Sequence, residues 1–254
     1  MLKKRIIPVQ LLLDGRLVKT RRFGEWRDVG DPVKSSAVYN SQYADELIFL
    51  NIARDHRTIE MLRTVIEKVS EVSFMPMAMG GGIVSTDDAA ELIRTGADKV
   101  VVNSIAYRDK SVITTTADRF GAQAVVVSMD ARWDAEGERY RLYSDCGRVA
   151  EPVSLEDHVG AVIAAGAGEI MVQSIDRDGM MEGYDIELVR RVMAASTIPV
   201  IAGGGSGNYE HLRDVFVETD VSAVACGSLF NFSDSNPIRA KAFLTNHGLS
   251  FKVV

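Results

Sequence analysis

The chain has 254 residues, 46% of them hydrophobic and 25% charged, a formal charge of −6 and two cysteines. That length suits one large domain or two small ones, and the composition is enough to fill a sizeable core. The negative charge excludes a general nucleic-acid binder, which carries a strongly basic face. No apolar run approaches the roughly 18 residues of a membrane span. Cys146 and Cys226 are too few for a disulfide framework and lack metal-ligand spacing, so we expect a reduced, cytoplasmic protein with no metal and no cofactor.

The N-terminal segment is basic and then apolar, but Pro8 and Gln10 interrupt it and it runs to Asp14-Gly15 without a small-residue cleavage site. It reads as a first strand rather than a leader. Further short β-branched or aliphatic runs follow, giving candidate strands at 5–12, 46–51, 75–79, 99–103, 124–129, 169–173, 199–202 and 222–226. Amphipathic helical stretches separate them, which calls for parallel strands joined by right-handed crossovers. An open doubly wound sheet would place a glycine-rich dinucleotide turn after the first strand, and Leu11-Leu12-Leu13-Asp14-Gly15 is not one. With no Pro- or Ser-rich linker and no charge run, residues 1–254 read as a single (β/α)₈ TIM-barrel domain.

An internal repeat sharpens this. Met79-Gly80-Gly81-Gly82 and Val101-Val102-Asn103-Ser104 are echoed by Ala202-Gly203-Gly204-Gly205 and Ala225-Cys226-Gly227-Ser228. Gly80 to Gly203 is 123 positions and Ser104 to Ser228 is 124, about half the chain. Each unit runs strand, glycine run, helix, strand, serine, as duplicated half-barrels would. In a barrel the loops after the strands build the active site, and glycine lets backbone N–H groups approach an anion. One candidate phosphate site is therefore Gly81, Gly82, Asn103 and Ser104. The other is Asp178, Gly179, Gly204, Gly205, Gly227 and Ser228. Two such sites suit a small molecule with a phosphate at each end.

The sequence resembles the HisF family, the cyclase subunit of imidazole glycerol phosphate synthase. The matching stretches are Lys4-Arg5-Ile6-Ile7-Pro8, Asp14-Gly15 with Val18-Lys19, Gly80-Gly81-Gly82-Ile83, Gly96-Ala97-Asp98-Lys99-Val100 and Ala117-Asp118-Arg119-Phe120-Gly121. Val127-Ser128-Met129-Asp130 and Ser174-Ile175-Asp176-Arg177-Asp178-Gly179 with Gly183-Tyr184-Asp185 extend the likeness over essentially the whole chain. The resemblance implies a glutamine amidotransferase: a HisH-like glutaminase docks under the barrel, and ammonia crosses the core to a bisphosphorylated ribonucleotide on top. It adds Lys19 to the ligand-binding set. It also implies an acid–base pair of aspartates ending the first and fifth strands. The second matches Asp130; the first falls on Leu11, which can neither give nor take a proton. Losing such a group costs about 10²–10⁴ in rate, and Asp14, three residues on, lies roughly 10 Å along the strand.

Asn51, where the family carries an acidic residue, and Gly203, where it carries serine, are further departures, and 132–149 matches the family's long loop only loosely. Four charged family positions that ring the ammonia entrance match Arg5, Glu46, Lys99 and Glu169, each opening a candidate strand. The four histidines at 56, 158, 211 and 247 read as solvated. Arg21, Arg22, Trp26 and Arg27 read as a loop after strand one, open to an anionic substrate or serving as a flap. Met77, Met79, Met129 and Met171 read as barrel filling. The first functional reading is thus a divergent HisF-like subunit, similar to those linked to acetamidino-sugar synthesis in bacterial surface polysaccharides. Its partners would be a glutaminase and a separate ATP-dependent amidotransferase. The alternative is a true imidazole glycerol phosphate cyclase that recruits another acid, Asp14 or a water-bridged group. A phosphoribosyl isomerase comes third, and a scaffold that only activates its glutaminase remains a further case.

Overall fold

Along the first strand, side chains alternate between two apolar environments rather than between core and water. Ile7, Val9 and Leu11 join Ile48, Ala78, Val101, Val126, Met171, Ile201, Ala223 and Ala225 in one buried cluster, while Ile6 and Leu12 belong to a second. A sheet buried on both faces is the mark of parallel strands covered by helices. In the computed structural model, which describes residues 3–55 and 57–252, the chain runs β1 (Arg5–Leu13), β2 (Arg16–Thr20), β3 (Trp26–Gly30), α1 (Pro32–Ser41), β4 (Leu47–Asn51), α2 (Glu60–Val69), β5 (Met77–Gly80), α3 (Thr86–Thr95), β6 (Lys99–Val102), α4 (Ser104–Arg108) and α5 (Ser111–Phe120). It continues through β7 (Val125–Asp134), β8 (Arg139–Ser144), β9 (Val149–Ala150), α6 (Leu155–Ala164), β10 (Glu169–Ser174), α7 (Ile186–Ala195), β11 (Val200–Gly203), α8 (Tyr209–Thr219), β12 (Ala223–Cys226), α9 (Ser228–Phe232) and α10 (Pro237–Asn246).

Parallel pairing runs β1–β4–β5–β6–β7–β10–β11–β12 and returns to β1, so eight strands close into a (β/α)₈ barrel. The eight strands coincide with the eight expected from sequence, with ends shifted by a few residues. The helices between them dock by one face. In α2 the buried positions are Leu62, Val65, Ile66 and Val69, the spacing of a single helical stripe. The start of α3 is fixed by a capping box, Ser85 accepting from the Asp88 amide while the Asp88 carboxylate reaches back.

Four strands lie outside the ring, and they correct two expectations. The segment expected as a loop after strand one is a ribbon: β2 folds back antiparallel on β1 with Leu11 opposite Val18, and β3 pairs with β2. Its turn is Asp14-Gly15, both with positive φ, the geometry that two-residue hairpins need. Trp26 and Arg27 therefore belong to β3, and Arg21 and Arg22 to the bend before it. The stretch 132–149 is likewise a ribbon, because β7 continues past the barrel and pairs with β8 from Asp130–Tyr143 to Asp134–Arg139. Of the four methionines only Met171 fills the barrel; Met77, Met79 and Met129 point outward beneath the helices. The parity of each strand decides this, since neighbouring residues face opposite ways.

Candidate active site at the carboxyl ends of the strands

The repeat seen in sequence is a repeat of backbone shape. Asn103 before α4 has φ −132° and ψ −84°, and Gly227 before α9 has φ −115° and ψ −81°, each opening a five-residue helix that begins with serine. Gly81 and Gly82 have φ of 90° and 95°, and Gly204 and Gly205 have 85° and 113°, a region that side chains disfavour. Space forbids them as well. A Cβ on Gly82 would lie 2.9 Å from the Thr58 carbonyl oxygen, one on Gly204 would lie 2.7 Å from the Ser174 carbonyl oxygen, and those on Gly81 and Gly205 would overlap the Asn51 and Gly183 carbonyls.

Gly81, Gly82, Asn103 and Ser104 line one side of a cavity of about 820 Å³ that opens at the carboxyl ends of the strands. Its rim carries arginines that the sequence did not mark. Arg57 pairs with Asp145 at 2.8 Å, Arg148 pairs with the same carboxylate at 2.8 Å, and the Asp145 amide donates to the Ser104 hydroxyl at 3.0 Å. The turn between β8 and β9 is thereby clasped over the first glycine site. Cys146 in that turn takes a hydrogen bond from Arg57 at 3.0 Å, and burial pushes its thiol pKa up.

Lys19, Asp178, Gly179, Gly204, Gly205, Gly227 and Ser228 all line a second, smaller hollow. The Lys19 side chain is buried beside Gly227, where a Cβ would sit 3.0 Å from its ammonium. Burial lowers its pKa to about 8 against the opposing pull of Asp178. The Asp178 carboxylate accepts from the Thr20 hydroxyl at 2.6 Å and the Phe23 amide at 3.2 Å. It therefore ties the β2–β3 ribbon to the barrel beside Lys19, whose ammonium donates to the Val9 carbonyl, and the glycines leave bare backbone in the wall of the hollow. Leu11 and Gln173 border both this hollow and the large cavity.

Between the two sites stands Asp130, on the inward face near the end of the barrel part of β7. It accepts from the Asn103 amide at 2.8 Å and is 8% exposed. Burial raises its pKa to about 7, partly offset by Asn103 and by the more distant Arg57. Leu11 also faces inward and lines the same cavity. Asp14 is exposed in the β1–β2 turn and lines neither the large cavity nor the hollow, so the expectation that it could take over an acid role is corrected by its position. Asn51 is held by its own loop, donating to the Thr58 carbonyl and accepting from the Ala53 amide.

At the opposite, amino end, Arg5, Glu46, Lys99 and Glu169 meet in a ring. Lys99 reaches Glu46 at 2.9 Å and Glu169 at 3.0 Å; Arg5 reaches Glu46 at 2.9 Å and also pairs with Glu169. Burial pushes Glu46 upward, with Lys99 and Arg5 opposing, and Glu46 Oε1 is buried without a partner. The remaining expectations scatter. His158 is 1% exposed and stacks on Tyr107 with ring centroids 4.0 Å apart, correcting the solvated reading, because α6 turns that position inward. His247 is exposed and His211 half-buried, and His56 lies outside the described residues. Cys226 is buried, its pKa raised to about 11 by burial. Among the described residues no three His, Cys, Asp or Glu side chains cluster as metal ligands, and no helix is long and apolar enough to cross a membrane.

A family model described as histidine biosynthesis protein matches residues 5–236. Similar over full length are proteins named imidazole glycerol phosphate synthase subunit HisF. That of Staphylococcus carnosus is 39% identical over 99% of each chain, and that of Alkaliphilus metalliredigens 41% over 99% of this chain and 100% of its own. The Hyphomonas neptunium protein of the same name is 40% identical over both whole chains.

Proposed function

We propose, from the premise that this chain belongs to the histidine biosynthesis protein family and within it to the HisF group, that it is the synthase subunit of a glutamine amidotransferase. It takes ammonia from a HisH-like glutaminase at the amino end of the barrel and delivers it to a ligand phosphorylated at both ends, held across the mouth. The names of the relatives favour the imidazole glycerol phosphate reaction over the polysaccharide reading, so a bisphosphorylated ribonucleotide is the ligand we put first.

The carrying observation is a buried carboxylic acid with a pKa near 7, set between two glycine-built anion cradles. At neutral pH Asp130 is populated in both protonation states, which is what a group that both gives and takes a proton needs. Beneath it the barrel is apolar, lined by Ile7, Ile48, Ala78, Val126, Met171 and Ile201. Neutral ammonia crosses such a layer, whereas ammonium would lose its hydration. The charged ring below meets the nitrogen first, and the free Glu46 Oε1 is an acceptor for its N–H.

Leu11 favours a second reading. With one carboxylate missing, the barrel would bind ligand and conduct ammonia without closing the imidazole, as in the acetamidino-sugar pathway with an ATP-dependent amidotransferase downstream. The isomerase reading also wants paired aspartates and ranks behind both.

Turnover separates them. The purified protein is given a bisphosphorylated ribonucleotide and free ammonia, beside Leu11→Asp and Asp130→Asn. Cyclised product from the native chain, abolished in Asp130→Asn, supports the first reading. No native product, with activity appearing in Leu11→Asp, gives the second.

A further inference from the structure

Two unusual features of the mouth turn out to be one. Gln173, near the end of β10, lies in register between Asp130 on β7 and Gly203 on β11. Its side chain shares the inward face with Met171, two residues before it, and its Oε1 occupies the place that a Cβ at position 203 would take. The missing side chain at 203 is the room in which the glutamine amide rests. Gln173 makes no side-chain hydrogen bond among the described residues, and its amide is not among the buried polar atoms left without a partner, so it faces open space. It borders both the large cavity and the small hollow, as does Leu11. The wall between the two anion cradles thus carries an apolar side chain on β1 and a neutral amide on β10.

We propose that Gln173 selects the ligand, its amide hydrogen-bonding the uncharged polar middle of a molecule whose phosphates sit in the two cradles. The proposal rests on the two-ended ligand of the preceding section. A glutamine suits the place physically. It brings both a donor and an acceptor, and it adds no negative charge between two phosphates and beside Asp130, where a carboxylate would repel. Its reach depends on Gly203, so the two residues act as a unit, and their effects on binding are not additive.

The test is calorimetric titration of the full chain and of Gln173→Leu, Gly203→Ala and the double variant, with two probes: inorganic phosphate and a bisphosphorylated ribonucleotide. Gln173→Leu weakens the ribonucleotide about tenfold, as loss of about one good hydrogen bond does, and leaves phosphate within about twofold. Gly203→Ala displaces the amide and weakens the ribonucleotide by a similar factor, and the double variant is no worse than either. Retained phosphate binding shows that each variant is folded; Gln173→Asn, which keeps the amide but shortens it, gives the same loss if Gly203→Ala does not fold. Unchanged ribonucleotide affinity in Gln173→Leu overturns the proposal alone, and so does an equal loss of phosphate, which would make Gln173 part of a cradle. A native chain that binds phosphate but not the ribonucleotide overturns the ligand reading and this proposal with it.

Discussion

At the amino end of the barrel four ionic side chains meet and pair, each cation bridging both carboxylates, with Glu46 Oε1 left over. At the carboxyl end Asp130 and Lys19 are buried too, yet among the described residues neither forms an ion pair. Burial is common to both ends and pairing is not. Where charges pair, the desolvation of each ion is offset by its neighbours. Lys99 and Arg5 oppose the upward push of burial on Glu46, whereas without an ion pair burial carries Asp130 to about 7 and Lys19 to about 8. The amino end is held by its ion pairs, and the carboxyl end keeps its buried acid and base unpaired, as the proposed proton transfer and anion binding require.

The largest expected effect breaks the mouth. Asp130→Asn keeps the shape and the contact with Asn103 but cannot transfer a proton, so turnover falls by about 10²–10⁴ while ribonucleotide affinity changes little. Single-turnover rates beside titration check it, and a variant within threefold of the native rate would remove Asp130 from the chemistry. Breaking the ring comes next. Glu169→Ala leaves Arg5 and Lys99 sharing Glu46, and removing one partner of a buried ionic group costs about 3–5 kcal/mol. Denaturant titration measures this; a cost under about 1 kcal/mol would mean that water, and not pairing, holds the ring.

A third prediction sets the two ends against each other through pH. The folded pKa of Asp130 lies above its ordinary 3.8, so the native state favours the neutral acid. That stabilisation is complete below about pH 4 and is lost as pH rises through about 7. Asp130→Asn stays neutral throughout. Its stability should match the native chain near pH 4 and exceed it at pH 8 by as much as ~4 kcal/mol. Parallel unfolding curves that never diverge would show that water reaches the carboxylate.

Much of this was legible in the sequence, for reasons that differ by residue. The glycines at 81, 82, 204 and 205 could be found because a left-handed backbone against a neighbouring carbonyl leaves few other choices. The strands showed through their runs of apolar residues. Other features depend on distances that no local pattern carries. Arg57 meets Asp145 88 residues away, and the fit of Gln173 against Gly203 appears only when β10 and β11 are laid in register. The β1–β2 hairpin was written in Asp14-Gly15 between apolar residues, a turn signal that the expectation of a plain barrel loop passed over. His158 and the methionines were misplaced because burial depends on helix face and strand parity, which composition does not reveal.

The smallest effect is the most specific to the mouth. The folded pKa of Lys19 is about 8, below its ordinary 10.5. Its neutral form is favoured in the native state, a contribution present above about pH 10.5 and lost as pH falls through about 8. Charging the ammonium at neutral pH therefore costs stability, and a bound anion offsets that cost. Inorganic phosphate should accordingly raise the Tm more at pH 7 than at pH 9. Its affinity should fall about tenfold over the same interval, following the protonated fraction of a group titrating near 8. Lys19→Met should bind phosphate weakly at both pH values, with the pH dependence gone. If the native affinity is flat from pH 7 to 9, the hollow takes its anion through backbone amides alone. The asymmetry between the two ends would then rest on Asp130.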